Sequence, residues 1–283
     1  MARSEGNGFF SRLFRRRPVV PVVRLAGAIG MQVPLMSSMS LASVSKQLDK
    51  AFSYRKAAAI ALVVNSPGGA PVQSHLIYRR IRQLAEKNKK KVIVFVEDVA
   101  ASGGYMIACA GDEIIADNYS IVGSIGVVSA SFGFEKMLKK LGIERRVYTA
   151  GDNKRQLDAF LPAKPEDIRR LKSLQQNIHA DFIALVKRSR GKRLKGADKT
   201  LFNGEYWLAE QAIKYGLVDG IGDLRGTLQA RFGKHVLTPL IAPPSGFFSR
   251  RIPGMSGAIL PEEWAKTALG ALEERALWGR YGL

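Results

Sequence analysis

The sequence contains very few of the residues that build disulfides and transition-metal sites. Among its 283 residues are one cysteine, Cys109, and three histidines, His75, His179 and His235. A lone cysteine excludes an intrachain disulfide, and neither it nor the histidines have the spacing of a zinc site. We expect no metal and no cofactor.

Long apolar runs are also missing. No stretch of about eighteen apolar residues occurs, so the sequence predicts no transmembrane helix. The start of the chain is too polar for a signal peptide, because its basic cluster follows the aromatic residues instead of preceding an apolar region. These two absences predict a protein of the cytoplasm, or one held at the cytoplasmic face of the inner membrane.

Acidic residues are scarce beside basic ones: 24 Asp and Glu stand against 44 Lys and Arg, which gives a formal net charge of +20. So much positive charge favours contact with an anionic partner. No helix-turn-helix, zinc-binding or aromatic RNA-binding motif is present, so we expect no nucleic acid. In the basic segment at residues 1–18, aromatic side chains stand beside arginines. This composition is compatible with an amphipathic segment on an anionic membrane and equally with a disordered arm.

What the sequence does contain is a repeated order of strand, loop and helix. Apolar runs at 59–64 and 92–96 indicate buried strands, and a helix from Val72 to Lys87 separates them. This order predicts an α/β domain with a parallel sheet over residues 19–236. Further predictions are a strand at 144–149, a helix at 202–216, and a linker with a helical tail at 237–283.

Ser102 stands where the second of these strands gives way to a small-residue helix. A serine at such a corner is exposed, lies at the positive end of the helix dipole and has the Gly103 N–H beside it, which suits a nucleophile. The same position suits a helix N-cap, the commoner use of serine before a helix. The serine motif by itself leaves both interpretations open.

A glycine-containing loop, Asn65-Ser-Pro-Gly-Gly69, ends the preceding strand. Ligands of parallel α/β sheets bind at the carboxyl ends of the strands, so this loop and Ser102 are expected to be neighbours. The backbone N–H groups of Gly68 or Gly69, together with that of Gly103, are candidates for an oxyanion hole. A Pro-Gly-Gly sequence is also typical of an ordinary turn.

An activated serine needs a base, and the histidines are weak candidates. His75 follows the glycine loop and could approach Ser102, whereas His179 and His235 are expected on distant helices, and no His-Asp pairing is evident. A lysine is the alternative, because burial lowers the pKa of a lysine amine toward neutrality. Spacing alone does not choose among the lysines.

Three motifs, in this order, resemble the signal peptide peptidase A family of serine proteases: Asn65-Ser-Pro-Gly-Gly69, Ala100-Ala-Ser-Gly-Gly-Tyr105 and Val122-Gly-Ser-Ile-Gly-Val127. The resemblance implies an α/β, Clp-protease/crotonase-like fold built from ββα units with a parallel sheet. It also implies a Ser-Lys dyad, in which Ser102 matches the nucleophile and Lys154, in Gly151-Asp-Asn-Lys154, matches the general base. We place Ser124 as a candidate hydrogen-bond partner of the lysine amine.

The same resemblance implies a serine endopeptidase that cleaves residual signal peptides or other membrane-associated polypeptides. It further implies a homo-oligomeric ring in which a neighbouring subunit contributes to the site. Two other functions remain open at this point. One is a crotonase-like acyl-CoA enzyme, which would bind CoA thioesters. The other is a non-catalytic membrane-associated scaffold, which labelling of Ser102 by a fluorophosphonate would exclude.

Overall fold

The computed structural model describes residues 17–30, 38–151, 153–242, 271–272 and 274–283. Of the basic segment, only Arg17 and Pro18 lie within these ranges, and most of the expected tail lies outside them. Among the helices of the described part, none has both the length and the apolar character needed to cross a membrane.

Strands and helices alternate along most of the described chain. The strands are β1 (Val22–Ala26), β2 (Ile60–Ser66), β3 (Val92–Ala101), β4 (Glu113–Ala116), β5 (Ile121–Gly123), β6 (Tyr206–Leu208) and β7 (Gly220–Ile221). The helices are α1 (Leu41–Phe52), α2 (Pro71–Asn88), α3 (Gly103–Ala108), α4 (Glu135–Lys140), α5 (Pro165–Arg190), α6 (Asp198–Leu201), α7 (Ala209–Lys214) and α8 (Leu224–Phe232). Residues 274–279 are helical as well.

The strands form one sheet whose main path runs in the order β1-β2-β3-β4-β7, and each neighbouring pair on this path is parallel. Helix α1 connects β1 to β2 and helix α2 connects β2 to β3, as crossovers between parallel strands require. The predicted α/β class with a parallel sheet is confirmed. The architecture is consistent with the Clp-protease/crotonase-like fold that the motifs implied.

β3 is long for a strand and changes partners along its length. Residues Ile93 to Val96 pair with β4, and residues Val99 to Ala101 pair with β5. β5 in turn pairs antiparallel with β6. The sheet therefore divides near the carboxyl end of β3, and Ser102 is the first residue beyond that end.

An irregularity between β2 and β3 accompanies this division, because their register shifts between Val64 and Ser66. The side chain of Asn65 fills the irregular position. Its amide nitrogen donates to Asp98 Oδ2 (2.6 Å), and its Oδ1 accepts from Val99 N (3.2 Å). β-Bulges of this kind redirect a strand, so Asn65 helps to set the direction in which both strands enter their loops.

Two apolar layers pack on the sheet. On one face, strand residues such as Leu62 and Val94 pack with the buried sides of α1, α2, α3 and α5. On the other face, a smaller layer that includes Phe95 packs with Leu228 of α8. All seven residues of β2 are buried, which explains why this strand appears in the sequence as an almost continuous apolar run.

A buried ion pair links the end of α5 to the sheet. The Arg190 side chain is 1% exposed, and its guanidinium donates to both carboxylate oxygens of Asp219 (2.9 and 2.7 Å). Burial acts to raise the pKa of Asp219, but hydrogen bonds from Arg190 and from Ile114 N outweigh it and hold the pKa below its ordinary value. Close by, Tyr105 of α3 donates to Leu217 O (2.8 Å). These bonds anchor α3 to the segment that follows α7.

Two sequence-based predictions of secondary structure are wrong. Residues 144–149 form no strand, because they lie on an exposed loop with no pairing partner in the described chain. Residues 202–216 do not form a single helix, since β6 and α7 occupy this stretch. Gly204 interrupts it with a φ of +92°, and the residues that follow pair with β5 instead of continuing a helix.

Candidate active site

Ser102 occupies the corner between β3 and α3. Its backbone has φ 52° and ψ −120°, a strained conformation for any residue other than glycine. The N–H of Ser102 donates to Gly123 O (2.9 Å), whereas its hydroxyl makes no capping hydrogen bond. Ser102 thus holds the N-cap position without the N-cap bond, and its hydroxyl is left for another role.

Glycines surround this corner because side chains do not fit there. A Cβ atom on Gly68 would lie 2.8 Å from the Cβ of Ser102 and 3.0 Å from Gly103 N. A Cβ atom on Gly103 would collide with Ser74 Oγ. The glycine loop and the serine motif therefore meet by close backbone approach, as their places at the ends of β2 and β3 predicted.

Two of the predicted oxyanion-hole donors have unused N–H groups. In the described part of the chain, the N–H of Gly69 and the N–H of Gly103 find no acceptor. The N–H of Gly68 donates instead to Ser66 Oγ (3.3 Å), so Gly68 shapes the corner and the other two glycines line the cleft. A corner serine beside unused backbone N–H groups is the arrangement of a serine hydrolase.

A cleft of about 950 Å³ opens over Ser102. Its walls include the large apolar side chains of Met106, Val127, Val128, Ile178 and Phe182. The described residues that line it include no aspartate, no glutamate and no lysine. The cleft is suited to an apolar chain segment, but the residues described here do not assemble a complete catalytic pair inside it.

Lys154 is exposed and is not among the residues that line the cleft. The backbone N–H of Lys154 donates to Gly151 O (3.2 Å), which closes a turn. The loop is held by Asp158, which accepts two hydrogen bonds from Arg145 (2.5 and 2.6 Å). These bonds are the main reason that the pKa of Asp158 lies below its ordinary value. The structure thus gathers Ser102 and the glycine donors in one place and leaves Lys154 outside it.

Ser124 does line the cleft, which Lys154 does not, and its side chain is near Tyr281. Its backbone has φ 51°, and its N–H donates to Glu205 O (2.7 Å). Burial raises the pKa of the Tyr281 phenol, and a hydrogen bond with the Ser124 side chain offsets part of the increase. The predicted partner of the lysine therefore contacts a tyrosine in this structure.

The prediction that His179 lies far from the site is wrong. Helix α5 carries His179 to the cleft wall, where its Nε2 lies 3.0 Å from Ile125 O. Apolar residues at helical spacing around His179 indicate in the sequence that this face of α5 is packed against the protein. The sequence does not reveal which element the face contacts. His75 and His235 are exposed. With no carboxylate among the described lining residues, no Ser-His-Asp triad is assembled.

Tyr206 is a further cleft residue that the sequence did not indicate. It begins β6, at the rim of the cleft, and is 47% exposed. Its ring lies next to that of Tyr281, with 5.0 Å between the ring centroids. A strand of three residues is too short to leave a detectable alternation in the sequence, and the predicted helix at 202–216 concealed it.

Comparison with known proteins gives the family. The pattern of peptidase family S49 matches residues 84–232, which is more than half of the chain, and the matched stretch contains Ser102, Ser124 and Lys154. The chain belongs to peptidase family S49. The resemblance to the signal peptide peptidase A family is thereby confirmed, and so, at the level of the family, is the expected class of enzyme, a peptidase.

Individual relatives match parts of longer proteins. Serine protease SPPA, chloroplastic, of Arabidopsis thaliana is 33% identical over 213 residues, which are 74% of this chain and 31% of that protein. A protein of Brucella abortus (strain 2308) named Na(+)/H(+) antiporter NhaA is 54% identical over 289 residues, 98% of this chain and 39% of that protein. The chain therefore spans well under half the length of these two relatives. The similarity to the Brucella protein includes the S49 region, because it extends over nearly the whole chain.

Among solved structures, the chain matches the 1510-N membrane-bound stomatin-specific protease, in a serine-to-alanine mutant form. The match has a TM-score of 0.47 at 18% identity and covers 81% of this chain and 99% of that chain.

Proposed function

We propose that this protein is a serine endopeptidase in which Ser102 is the nucleophile and Lys154 is the general base. The observation that carries the proposal is the corner at Ser102, where a hydroxyl not used for capping lies beside the unused N–H groups of Gly69 and Gly103. Membership of peptidase family S49 supports a peptide bond as the target.

The reaction is an acyl transfer in two stages. The unprotonated amine of Lys154 takes the proton of the Ser102 hydroxyl while the serine oxygen attacks the peptide carbonyl carbon. The carbonyl oxygen becomes an oxyanion, which the N–H groups of Gly69 and Gly103 stabilise. The lysine ammonium then protonates the departing amine as the C–N bond breaks, and an acyl-enzyme remains on Ser102. Water, deprotonated by the same amine, hydrolyses this ester and returns the serine to its starting state.

In this proposal, Lys154 comes from a neighbouring copy of the chain. The cleft has no lysine among its described lining residues, whereas Lys154 is exposed on a long surface segment, residues 128–151 and 153–164, which we call the lysine arm. The lysine arm also exposes large apolar side chains: Phe132 (76%), Leu141, Ile143 and Tyr148 (91%). Exposed apolar groups in such number are typical of a protein contact, and a second copy of the chain would cover them.

This arrangement favours a closed homo-oligomer. If each copy inserts its lysine arm beside the cleft of the next copy, two different surfaces meet at every contact. Contacts of that kind close into a ring when the rotation between subunits permits. The ring that the family resemblance implied is thus compatible with the surface on which Lys154 lies.

For substrates, we propose apolar polypeptide segments such as residual signal peptides or other membrane-associated chains. Most of the large side chains of the cleft wall are apolar, which favours such segments over charged ones. The net charge of +20 would hold the enzyme at an anionic membrane surface, where such segments are found. Co-sedimentation with vesicles of anionic lipid, compared with vesicles of neutral lipid, tests the membrane contact.

A fluorophosphonate probe tests the nucleophile. We expect the native protein to be labelled at Ser102, as located by mass spectrometry, and Ser102→Ala to remain unlabelled while unfolding at the same temperature. Absence of label on the native protein, under conditions in which it is folded, would refute the proposed function. Binding of a CoA thioester in place of labelling would favour the crotonase-like alternative.

Three variants test the base by the same labelling. Lys154→Ala should lose the label, whereas Lys164→Ala, which alters an exposed lysine at the other end of the same loop, should retain it. His179→Gln should retain most of it, because glutamine can still hydrogen-bond to Ile125 O. Full labelling of Lys154→Ala combined with loss in His179→Gln would make the histidine the base.

A further inference from the structure

The last described residues of the chain lie in the cleft over Ser102. We call residues 274–283 the cleft segment. Its Leu277, Arg280 and Tyr281 line the cleft together with Ser102 and Gly103. The space that a substrate would need is therefore shared with a piece of the same chain.

Tyr206 holds the backbone of the cleft segment. Its hydroxyl donates to Arg280 O (3.1 Å), and its ring meets the ring of Tyr281 edge to face, with 5.0 Å between centroids and 74° between planes. Aromatic pairs favour this geometry. Because the hydrogen bond goes to a backbone carbonyl, any peptide laid along the same path could accept it in place of Arg280.

Tyr281 reaches the two loops that flank the nucleophile. Its hydroxyl lies 3.5 Å from Pro67 O of the glycine loop and also contacts the Ser124 side chain. Pro67 follows β2 and Ser124 follows β5, and these strands pair with opposite edges of β3. Tyr281 therefore spans the mouth of the corner from one side of Ser102 to the other.

We propose that the cleft segment is an internal ligand of the cleft, held by Tyr206 and by the loops that flank Ser102, and that it competes with substrate for this space. Its occupancy of the cleft is inferred from the contacts alone. The inhibitory effect rests on the proposed peptidase function.

The balance of contacts favours a ligand that leaves readily. One hydrogen bond to Pro67 O is at the long limit for such bonds, and the side chains of Arg280 and Leu283 remain exposed. The segment nevertheless belongs to the same chain, so its effective concentration at the cleft is far above that of a free peptide in solution. A weak contact of this kind suffices to exclude dilute peptides and yields to a tightly bound substrate.

The first experiment measures occupancy without catalysis. In the full chain carrying Ser102→Ala, a fluorescent peptide with the sequence of residues 274–283 is titrated and its anisotropy recorded. Adding Leu277→Ala or Tyr281→Ala should empty the cleft of its own segment and strengthen binding of the added peptide by about tenfold. Leu272→Ala is the matched control, since this leucine is 68% exposed and does not line the cleft. Equal binding by the Leu277 and Leu272 variants would overturn the proposal.

The second experiment measures inhibition. With Ser102 intact, Leu277→Ala and Tyr281→Ala should be labelled by fluorophosphonate several times faster than Leu272→Ala. Tyr281→Phe, which removes only the hydroxyl, should give a smaller increase. If no variant is labelled, the proposed function fails, but the titration still decides occupancy. If labelling proceeds at one rate in all variants, the peptidase proposal stands and the inhibitory part of this inference is wrong.

Discussion

The Ser102 corner and the lysine arm supply the two halves of one proposed dyad, yet they are built in contrasting ways. The corner lies at the end of a buried strand, and its glycines allow the glycine loop and the serine motif to approach within van der Waals contact. The lysine arm exposes aromatic and aliphatic side chains, and Lys154 itself faces solvent. The proposed nucleophile is thus fixed by the fold of one chain, whereas the proposed base lies on a surface that no other part of the described chain covers.

This contrast has a chemical reason. An oxyanion hole works only when its donors are in place before the reaction, so the corner has to be rigid. A base that arrives on a neighbour's surface can be absent until the oligomer forms. Peptidase activity would then depend on assembly, and an isolated chain would carry a nucleophile without its base.

The largest expected effect comes from separating the two halves onto different chains. Ser102→Ala and Lys154→Ala should each lower peptide cleavage, the latter by about a hundredfold to ten thousandfold, the range for a general base. A mixture of the two variants should regain activity, because a cleft with Ser102 can meet an arm with Lys154. A mixture of Lys154→Ala with the double variant is the control and should stay inactive. If the mixture of Ser102→Ala with Lys154→Ala forms mixed oligomers but stays inactive, the base acts within its own chain and the proposed sharing between copies is wrong.

A smaller effect is expected in thiol chemistry. Burial raises the pKa of Cys109, seven residues beyond Ser102, to about 12. Because the thiolate is the reactive form, native Cys109 should react with a disulfide reagent at least about a hundredfold more slowly than an exposed thiol. Tyr148→Cys in a Cys109→Ala background supplies that exposed thiol on the lysine arm. Similar rates at both positions would show that the helix after Ser102 opens readily and that the contrast in rigidity is wrong.

Two glycines, one in each region, give a comparison of stability. Gly68 has φ +105° and Gly151 has φ +96°, so alanine strains the backbone at both, by roughly 1–2 kcal/mol. At Gly68 the new Cβ would also lie 2.8 Å from the Cβ of Ser102, whereas at Gly151 the nearest atom, Lys154 Cγ, is 3.5 Å away. Overpacking should add about 1–3 kcal/mol to the cost at Gly68 only. Urea denaturation measures both, and equal losses would contradict the crowding of the corner.

The smallest expected effect is a dependence on acid pH confined to the lysine arm. The hydrogen bonds from Arg145 hold the folded pKa of Asp158 below the unfolded value of about 3.9. The stabilisation from this pair is therefore complete above that pH and is lost as pH falls through the folded pKa. The protection of lysine-arm amides from hydrogen exchange, corrected for the intrinsic exchange rate at each pH, should decrease below about pH 4. In Asp158→Asn this decrease should be absent. At the corner, burial raises the pKa of Tyr105 and of Cys109, so both stay neutral throughout.

The corner could be predicted from the sequence because local patterns determine it. A β-branched run followed by Ser-Gly-Gly specifies a strand, a tight turn and a helix start, and a parallel sheet brings the ends of neighbouring strands together. The bulge at Asn65 could not be predicted, since register depends on the partner strand. His179 and Tyr206 were missed for a related reason: their positions follow from how α5 and β6 pack, which no local pattern encodes. The strand expected at 144–149 has suitable residues but no neighbouring strand to pair with among the described residues.

The change of partners along β3 has a consequence for redesign. Residues 93–96 lie beside β4, within the buried body of the sheet, whereas residues 99–101 lie beside β5, which leads into the Ser124 turn and pairs with the antiparallel strand that begins with Tyr206. The scaffold and the substrate-facing surface thus meet along one seam within a single strand. A chimera could therefore take β5, the Ser124 turn and β6 together from a relative without altering residues 93–96 or their pairing with β4. We expect such a chimera to change the proposed cleavage preference and to keep the sheet and the proposed nucleophile of the recipient.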